Sequence, residues 1–181
     1  AMQRRGPDGA GLWLSDDGRV GLAHRRLAII DLSSAAAQPM AFTAPGEAEA
    51  RTHITYNGEI YNFRALRGEL EYQGHVFKTQ SDTEVLLHLY HRYGAEMVSR
   101  LRGMFALALW DEARQGLLLA RDPMGIKPLY YADGGGTLRV ASQVKALLAG
   151  GGVDRAPSPA GNVGFFLWGS VPEPHTLYRH I

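Results

Sequence analysis

None of the 181 residues is a cysteine. That absence excludes disulfides, thiolate zinc sites and thiol catalysis by any residue of this stretch. Long hydrophobic runs are missing too: nowhere do about 18 apolar residues follow one another, the length a membrane-spanning helix needs. The first residues, Ala1-Met2-Gln3-Arg4-Arg5, lack the apolar core of a secretory leader. Neither sign of charge prevails, with 19 basic against 18 acidic residues for a net +1. The basic residues are dispersed among acids without interleaved aromatics, so neither nucleic acid nor a membrane surface is expected as a charge-driven partner. No internal repeat, low-complexity block, phosphate loop, nucleophile elbow or dinucleotide glycine fingerprint occurs. What is present is a chain 45% hydrophobic, enough to bury one sizeable core. The expectation is one globular, cytoplasmic domain.

Short runs at the start read as strands, Gly11–Leu14 and Val20–Arg26, split by the turn Asp16-Asp17-Gly18. His53–Tyr56 reads as a third. Asn62 is placed to cap a helix through about Gln73, with Leu66 and Leu70 on one face and Gly74 stopping it. Ser81-Asp82-Thr83-Glu84 is a capping-box sequence opening a helix that ends at Gly94. A short helix, Ala95–Leu101, follows. Met104–Trp110 is apolar enough for a strand buried on both faces. Leu117–Arg121, Leu129–Ala132 and Leu138–Ala141 are further strands, the last two joined by Asp133-Gly134-Gly135-Gly136. Val144–Ala149 and Ser158–Gly169 read as helices, the second weakened by Gly161 and Gly164. Val171-Pro172-Glu173-Pro174 reads as an extended exit. Strands, then helices, then strands again make the chain α+β with largely antiparallel sheets.

The densest chemistry lies in Asn57-Gly58-Glu59-Ile60-Tyr61-Asn62, read as a tight turn from strand to helix. An asparagine donates an N–H to a developing oxyanion, and a glycine lets its own N–H approach substrate with no Cβ in the way. An isolated Asn-Gly is also an ordinary turn with left-handed backbone. Arg26 closes the run His24-Arg25-Arg26-Leu27 beside apolar Ala28-Ile29-Ile30, where a guanidinium suits bidentate capture of a carboxylate. By position alone it reads as a solvated surface arginine instead. Asp82, in the first turn of a capped helix, could pair with a substrate ammonium, but on local grounds alone it reads as a first-turn aspartate that complements the helix dipole. Arg121–Tyr131, with two prolines and a glycine, reads as a rigid architectural loop in which Arg121, Asp122 and Lys127 are available for salt bridges. The histidines 24, 53, 75, 88, 91, 175 and 180 form no metal-ligand pattern, and His88 and His91 read as a solvated helix face.

Together these strings resemble the glutaminase domain of class II glutamine amidotransferases, most closely that of glutamine-hydrolysing asparagine synthetases. The motifs in family order are Arg5-Gly6-Pro7-Asp8-Gly9, His24-Arg25-Arg26-Leu27, Gln38-Pro39-Met40, Asn57–Asn62, Ser81-Asp82-Thr83-Glu84, Arg102-Gly103-Met104-Phe105-Ala106, Arg121–Tyr131 and Val171-Pro172-Glu173-Pro174. The resemblance implies the αββα sandwich of N-terminal-nucleophile hydrolases, two stacked antiparallel sheets between helix layers. It places that domain over residues 1–160 and a linker over 161–181, leading to an ATP-dependent synthetase domain. It also implies a catalytic N-terminal cysteine, whose α-amino group is the base in forming a thioester with the glutamine side chain. That cysteine heads a first strand which here would precede Arg5-Gly6-Pro7-Asp8. These residues alone are therefore expected to be inactive, either as the portion of a longer enzyme that releases ammonia from glutamine to amidate aspartate, or as a relative that lost its glutaminase and serves as a scaffold or glutamine-binding module. An amidotransferase acting on an acceptor other than aspartate is the remaining alternative. By resemblance Arg26 holds the glutamine α-carboxylate and Asp82 its α-ammonium, while the Asn57 side chain and Gly58 N–H form the oxyanion hole. Glu59 and the backbone near Ile29 and Ile30 complete the pocket. No cofactor or metal is implied for this domain; ATP and magnesium belong to the synthetase domain. Glutamine, that domain and a second copy in a homodimer are the implied partners. Arg4 and Gln143 depart from the family's usual histidine and glutamate.

Overall fold

The computed structural model of the chain describes residues 1–44 and 46–181. It divides into two compact units, Met2–Lys127, and Pro128–Ile181 together with Ala1. In the larger unit, β1 (Gly9–Leu14) and β2 (Gly21–Arg26) form a hairpin, with Trp13 opposite Leu22. Gly18 takes the positive φ that the turn requires. A four-stranded antiparallel sheet has the order β3-β4-β5-β6, comprising Met40–Phe42, Thr52–Ile60, Gly103–Asp111 and Gly116–Arg121. Central β5 is buried from Phe105 through Leu109, as its unbroken apolar run predicts.

β4 has two differently occupied faces. Tyr56 looks toward helix α2 (Asp82–Tyr93), its hydroxyl donating to Asp82 Oδ2 at 2.8 Å. Thr55 looks the other way, its Oγ1 lying 3.1 Å from His24 Nδ1 and donating to the Ala23 carbonyl, so the β1–β2 hairpin stacks on that face. Helix α1 (Phe63–Tyr72) packs beside α2 and buries Leu66 and Leu70, worth about 2 kcal/mol each. The α+β reading with stacked antiparallel sheets therefore describes the fold.

Several local expectations are corrected. The strand read as His53–Tyr56 runs to Ile60, so Asn57-Gly58-Glu59 is strand and not turn. Asn62 flanks α1 without capping it, because its side chain instead donates to the Arg100 carbonyl and accepts from the Arg102 N–H. Ser81 does cap α2, accepting from the Thr83 N–H. Glu84 does not return to Ser81; its oxygens accept from the Lys78 and Thr79 N–H groups and the Thr79 hydroxyl. The short helix after Gly94 is a 3-10 helix, Gly94–Arg100.

His88 is likewise no solvated residue. It is 4% exposed, its ring tilted against Phe77 at 4.2 Å and edge-on to Phe42 at 4.7 Å, with its Nδ1 2.9 Å from His75 Nδ1. Burial, then the neighbouring His75, pushes the His88 pKa from 6.5 down to about 4. Burial, then Arg26, does the same to His24. Between pH 6.5 and 4 the unfolded chain therefore binds protons that the folded chain refuses, so stability falls as pH falls through that window. Each histidine contributes a slope of up to about 1.4 kcal/mol per pH unit. Urea melts at pH 7 and pH 5 are expected to show the loss, and His88→Phe to remove only the part due to His88, because burial lowers His24, His53 and His75 as well. An unchanged slope in that variant would place the titration elsewhere.

The smaller unit holds the hairpin β7 (Tyr130–Gly134) and β8 (Thr137–Ala141), turned through Gly135 and Gly136 at positive φ. Helices α3 (Val144–Gly150) and α4 (Pro159–Trp168) follow, α4 capped by the Ser158 side chain. Gly161 and Gly164 do not merely weaken α4: a Cβ on either would strike the Thr176 carbonyl or the Pro172 ring. The segment read as an extended exit turns at Pro172–His175 and returns, bridging Pro157 to Tyr178. α4 carries no charge and leaves Phe166 86% and Trp168 73% exposed.

Candidate functional site

Among the described residues, β4 beyond Ile54 has a neighbouring strand on one side only, because β3 pairs just with Thr52–Ile54. Backbone N–H groups of an antiparallel strand alternate in direction. Tyr61 donates inward to the Arg102 carbonyl, so residues 56, 58 and 60 point outward. Two of those three N–H groups are taken. Tyr56 donates to Gln38 Oε1 at 2.6 Å, and Ile60 to Asp82 Oδ2 at 3.1 Å. The Gly58 N–H, midway between them, has no hydrogen-bond partner among the described residues.

Asn57 and Glu59 alternate with Gly58 onto the opposite face of the strand. The Asn57 carboxamide is exposed and makes no hydrogen bond among the described residues, nor does the Glu59 carboxylate. Gly58 is glycine for reasons of space. Its φ is not left-handed, but a Cβ would collide with the Met104 carbonyl oxygen and lie 2.7 Å from Phe105 Cα.

Arg26 ends β2, and its guanidinium is anchored: Nη1 donates to the Ser33 carbonyl at 2.8 Å and Nη2 to the Asp31 carbonyl. Two of its five N–H donors are used, leaving three for an anion. The intervening loop, with exposed Ile29 and Ile30, is held at its start by Asp8, whose Oδ2 accepts from the Ala28 N–H at 2.9 Å. Asp82 is deeper than a first-turn aspartate usually lies, at 4% exposed. Burial pushes its carboxyl pKa up, and donation from Ile60 and Tyr56 offsets part of that. Burial and the Asp82 charge together raise the Tyr56 hydroxyl, which stays protonated and donating. A cation arriving beside Asp82 would relieve a carboxylate that is poorly solvated.

Three residues without a role in the sequence reading join these parts. Gln38 spans from the Tyr56 N–H to the Thr83 hydroxyl, next to Asp82. Tyr56 links β4 to Asp82, and Asp31 connects the Arg26 loop to Gln80. Their signal is the family motif Gln38-Pro39-Met40 for the first, and nothing local for Asp31. The loop after β6 is architectural, and hydrogen bonds to its backbone hold it. Asp122 accepts from the Phe105, Ile126 and Lys127 N–H groups, and Arg121 donates to the Gly125 and Lys127 carbonyls. Burial alone would raise the Asp122 pKa; donation by Lys127, Ile126 and Phe105 outweighs it and holds the carboxyl low. A cleft lined by Ser15, Asp17, Arg51, Trp110 and Gln115 lies at the other end of β4–β5, where Trp110 pairs with His53.

An N–H with no partner among the described residues, between two satisfied N–H neighbours and next to a carboxamide that also makes no hydrogen bond among them, is donor chemistry suited to an amide substrate. Stacked antiparallel sheets with flanking helices are the architecture of N-terminal-nucleophile amidotransferases. The chain belongs to the glutamine amidotransferase domain family, whose model matches residues 1–181. It is 44% identical over 99% of its length to a putative glutamine-hydrolysing asparagine synthetase of Mycobacterium tuberculosis. It is 43% identical over 98% of its length to asparagine synthetase B of Escherichia coli. The chain spans 28% and 30% of the lengths of those two relatives. The glutamine phosphoribosylpyrophosphate amidotransferase of Bacillus subtilis superposes with a TM-score of 0.70 at 27% identity, over 88% of this chain and 41% of that one.

Proposed function

We propose that this chain is the glutamine-binding and amide-hydrolysing portion of a glutamine-hydrolysing asparagine synthetase. The observation that carries the reading is the Gly58 N–H, which lies between two satisfied neighbours and has no partner among the described residues, with the Asn57 carboxamide beside it equally without one. In this reading both donate to the oxyanion formed when the glutamine amide is attacked. Arg26 takes the α-carboxylate with its remaining donors, and Asp82 takes the α-ammonium. Glu59 and the backbone around Ile29 and Ile30 close the pocket. The attacking thiolate is assigned to a cysteine outside these 181 residues, which hold none.

The ammonia released would be used by a synthetase region of the longer protein, where ATP and magnesium activate aspartate. The length of the relatives supports that partner, and so does the exposed apolar surface of α4, which suits contact with further polypeptide. Homodimerisation and a cytoplasmic location belong to the same reading. Among the described residues, no helix is long and apolar enough to cross a membrane.

Calorimetry with L-glutamine tests the pocket directly. Saturable heat is expected from the chain, with Arg26→Ala weakening binding by about one to two orders of magnitude, the cost of a charge-assisted carboxylate clamp. No heat from the wild-type chain would refute glutamine binding. In the longer protein, asparagine formation from aspartate, glutamine and MgATP is the expected product test; ammonia release without asparagine would refute the acceptor.

A further inference from the structure

Arg26 and Asp82 stand on separate elements, the end of β2 and the start of α2. A ligand bearing a carboxylate and an ammonium on one carbon needs its two charged partners at a fixed spacing. One side chain ties the two elements together. Asp31 Oδ2 accepts from the Gln80 N–H at 2.9 Å, two residues before Asp82. Its Oδ1 accepts from the Ser33 N–H at 2.8 Å. Its own carbonyl, and that of Ser33, are the acceptors that hold the Arg26 guanidinium. A continuous path therefore runs from Arg26 through Asp31 to Gln80, and through the capped turn at Ser81 to Asp82. Donation from Ser33 and Gln80 keeps the Asp31 carboxyl below its ordinary pKa, so both oxygens remain acceptors at neutral pH.

We infer that Asp31 is a positioning residue that sets the distance between the carboxylate clamp and the ammonium clamp, and so selects ligands carrying both groups. It touches no ligand itself. The inference rests on the glutamine reading of Arg26 and Asp82. It differs from a plain loop-stabilising role in one respect: a loop staple serves every ligand equally, whereas a spacer matters only to a ligand held at both ends.

The test is calorimetric, on the full chain, with L-glutamine and two truncated amides. 4-Carbamoylbutanoate keeps the carboxylate and lacks the amine; 4-aminobutanamide keeps the amine and lacks the carboxylate. Asp31→Ala is expected to weaken L-glutamine by about ten-fold or more, the loss of one or two charge-assisted hydrogen bonds. Each truncated amide is expected to change by less than about three-fold, because each meets only one clamp. Asp31→Asn keeps the shape and one acceptor, and is expected to fall between, which preserves the test if Asp31→Ala does not fold. Equal weakening of all three ligands in either variant, or no weakening of L-glutamine, overturns the inference while leaving the glutamine reading in place. If the wild-type chain binds L-glutamine no better than the truncated amides, and Arg26→Ala changes nothing, the glutamine reading itself fails and the inference falls with it.

Discussion

Replacing Asn57 by alanine, in the longer protein that carries the nucleophilic cysteine, is expected to lower glutamine turnover by about two to three orders of magnitude, the cost of one oxyanion donor. The change should fall on kcat and on kcat/KM alike, since the donor engages charge that exists only in the transition state. Folding should be spared. The Asn57 side chain is exposed, and among the described residues it makes no hydrogen bond whose loss would destabilise the chain. An Asn57→Ala enzyme with near-normal single-turnover thioester formation would remove Asn57 from the oxyanion hole. A raised KM at constant kcat would make it a ground-state contact.

Gly58→Ala is expected to damage the fold as well as the site. The added methyl would be forced against the Met104 carbonyl oxygen, within 2.7 Å of Phe105 Cα and 2.9 Å of the Tyr56 ring. Two of those atoms are backbone of β5, the strand that pairs with β4 from Thr52 to Ile60, so relief requires the strands to part. Overpacking of this kind costs about 1–3 kcal/mol, and backbone neighbours place this site at the upper end. For a chain of this size the midpoint of thermal unfolding should fall by about 6–12 °C. Asn57→Ala measured in parallel should move little. Equal midpoints for Gly58→Ala and wild type would mean that β4 and β5 do not approach as described at this residue. The contrast also separates space from conformation, because a glycine kept only for left-handed φ would show strain without such a collision.

Much of the fold was legible in local pattern. Apolar Met104–Trp110 predicts a strand buried on both faces, and β5 is one. Leu66 and Leu70, one helical turn apart, predict the buried stripe of α1, and Ser81 predicts the cap of α2. Asn57-Gly58-Glu59 was not legible as strand. These residues have weak strand propensity and turn-like chemistry, and they become strand only because Ala106, Phe105 and Met104 lie opposite them. His88 shows the same limit: helical spacing put it beside His91, yet Phe42 and Phe77 arrive from elsewhere to bury it.

The candidate site divides along the same line. Sequence by itself determined which groups are available: the Asn57 carboxamide, the Gly58 N–H, the Arg26 guanidinium, the Asp82 carboxylate, and no thiol at all. Those are properties of side chains and composition, and they survive any error in secondary structure. Tertiary structure alone decided which of these groups are spoken for and which are free. Among the described residues the Gly58 N–H has no partner because β3 begins only at Met40, opposite Ile54, while Gln38 and Asp82 satisfy the N–H groups on either side. Asp31 couples Arg26 to α2 because Gln80, 49 residues along the chain, donates to it. Contacts across such separations follow from how strands and helices pack, and no local pattern encodes them.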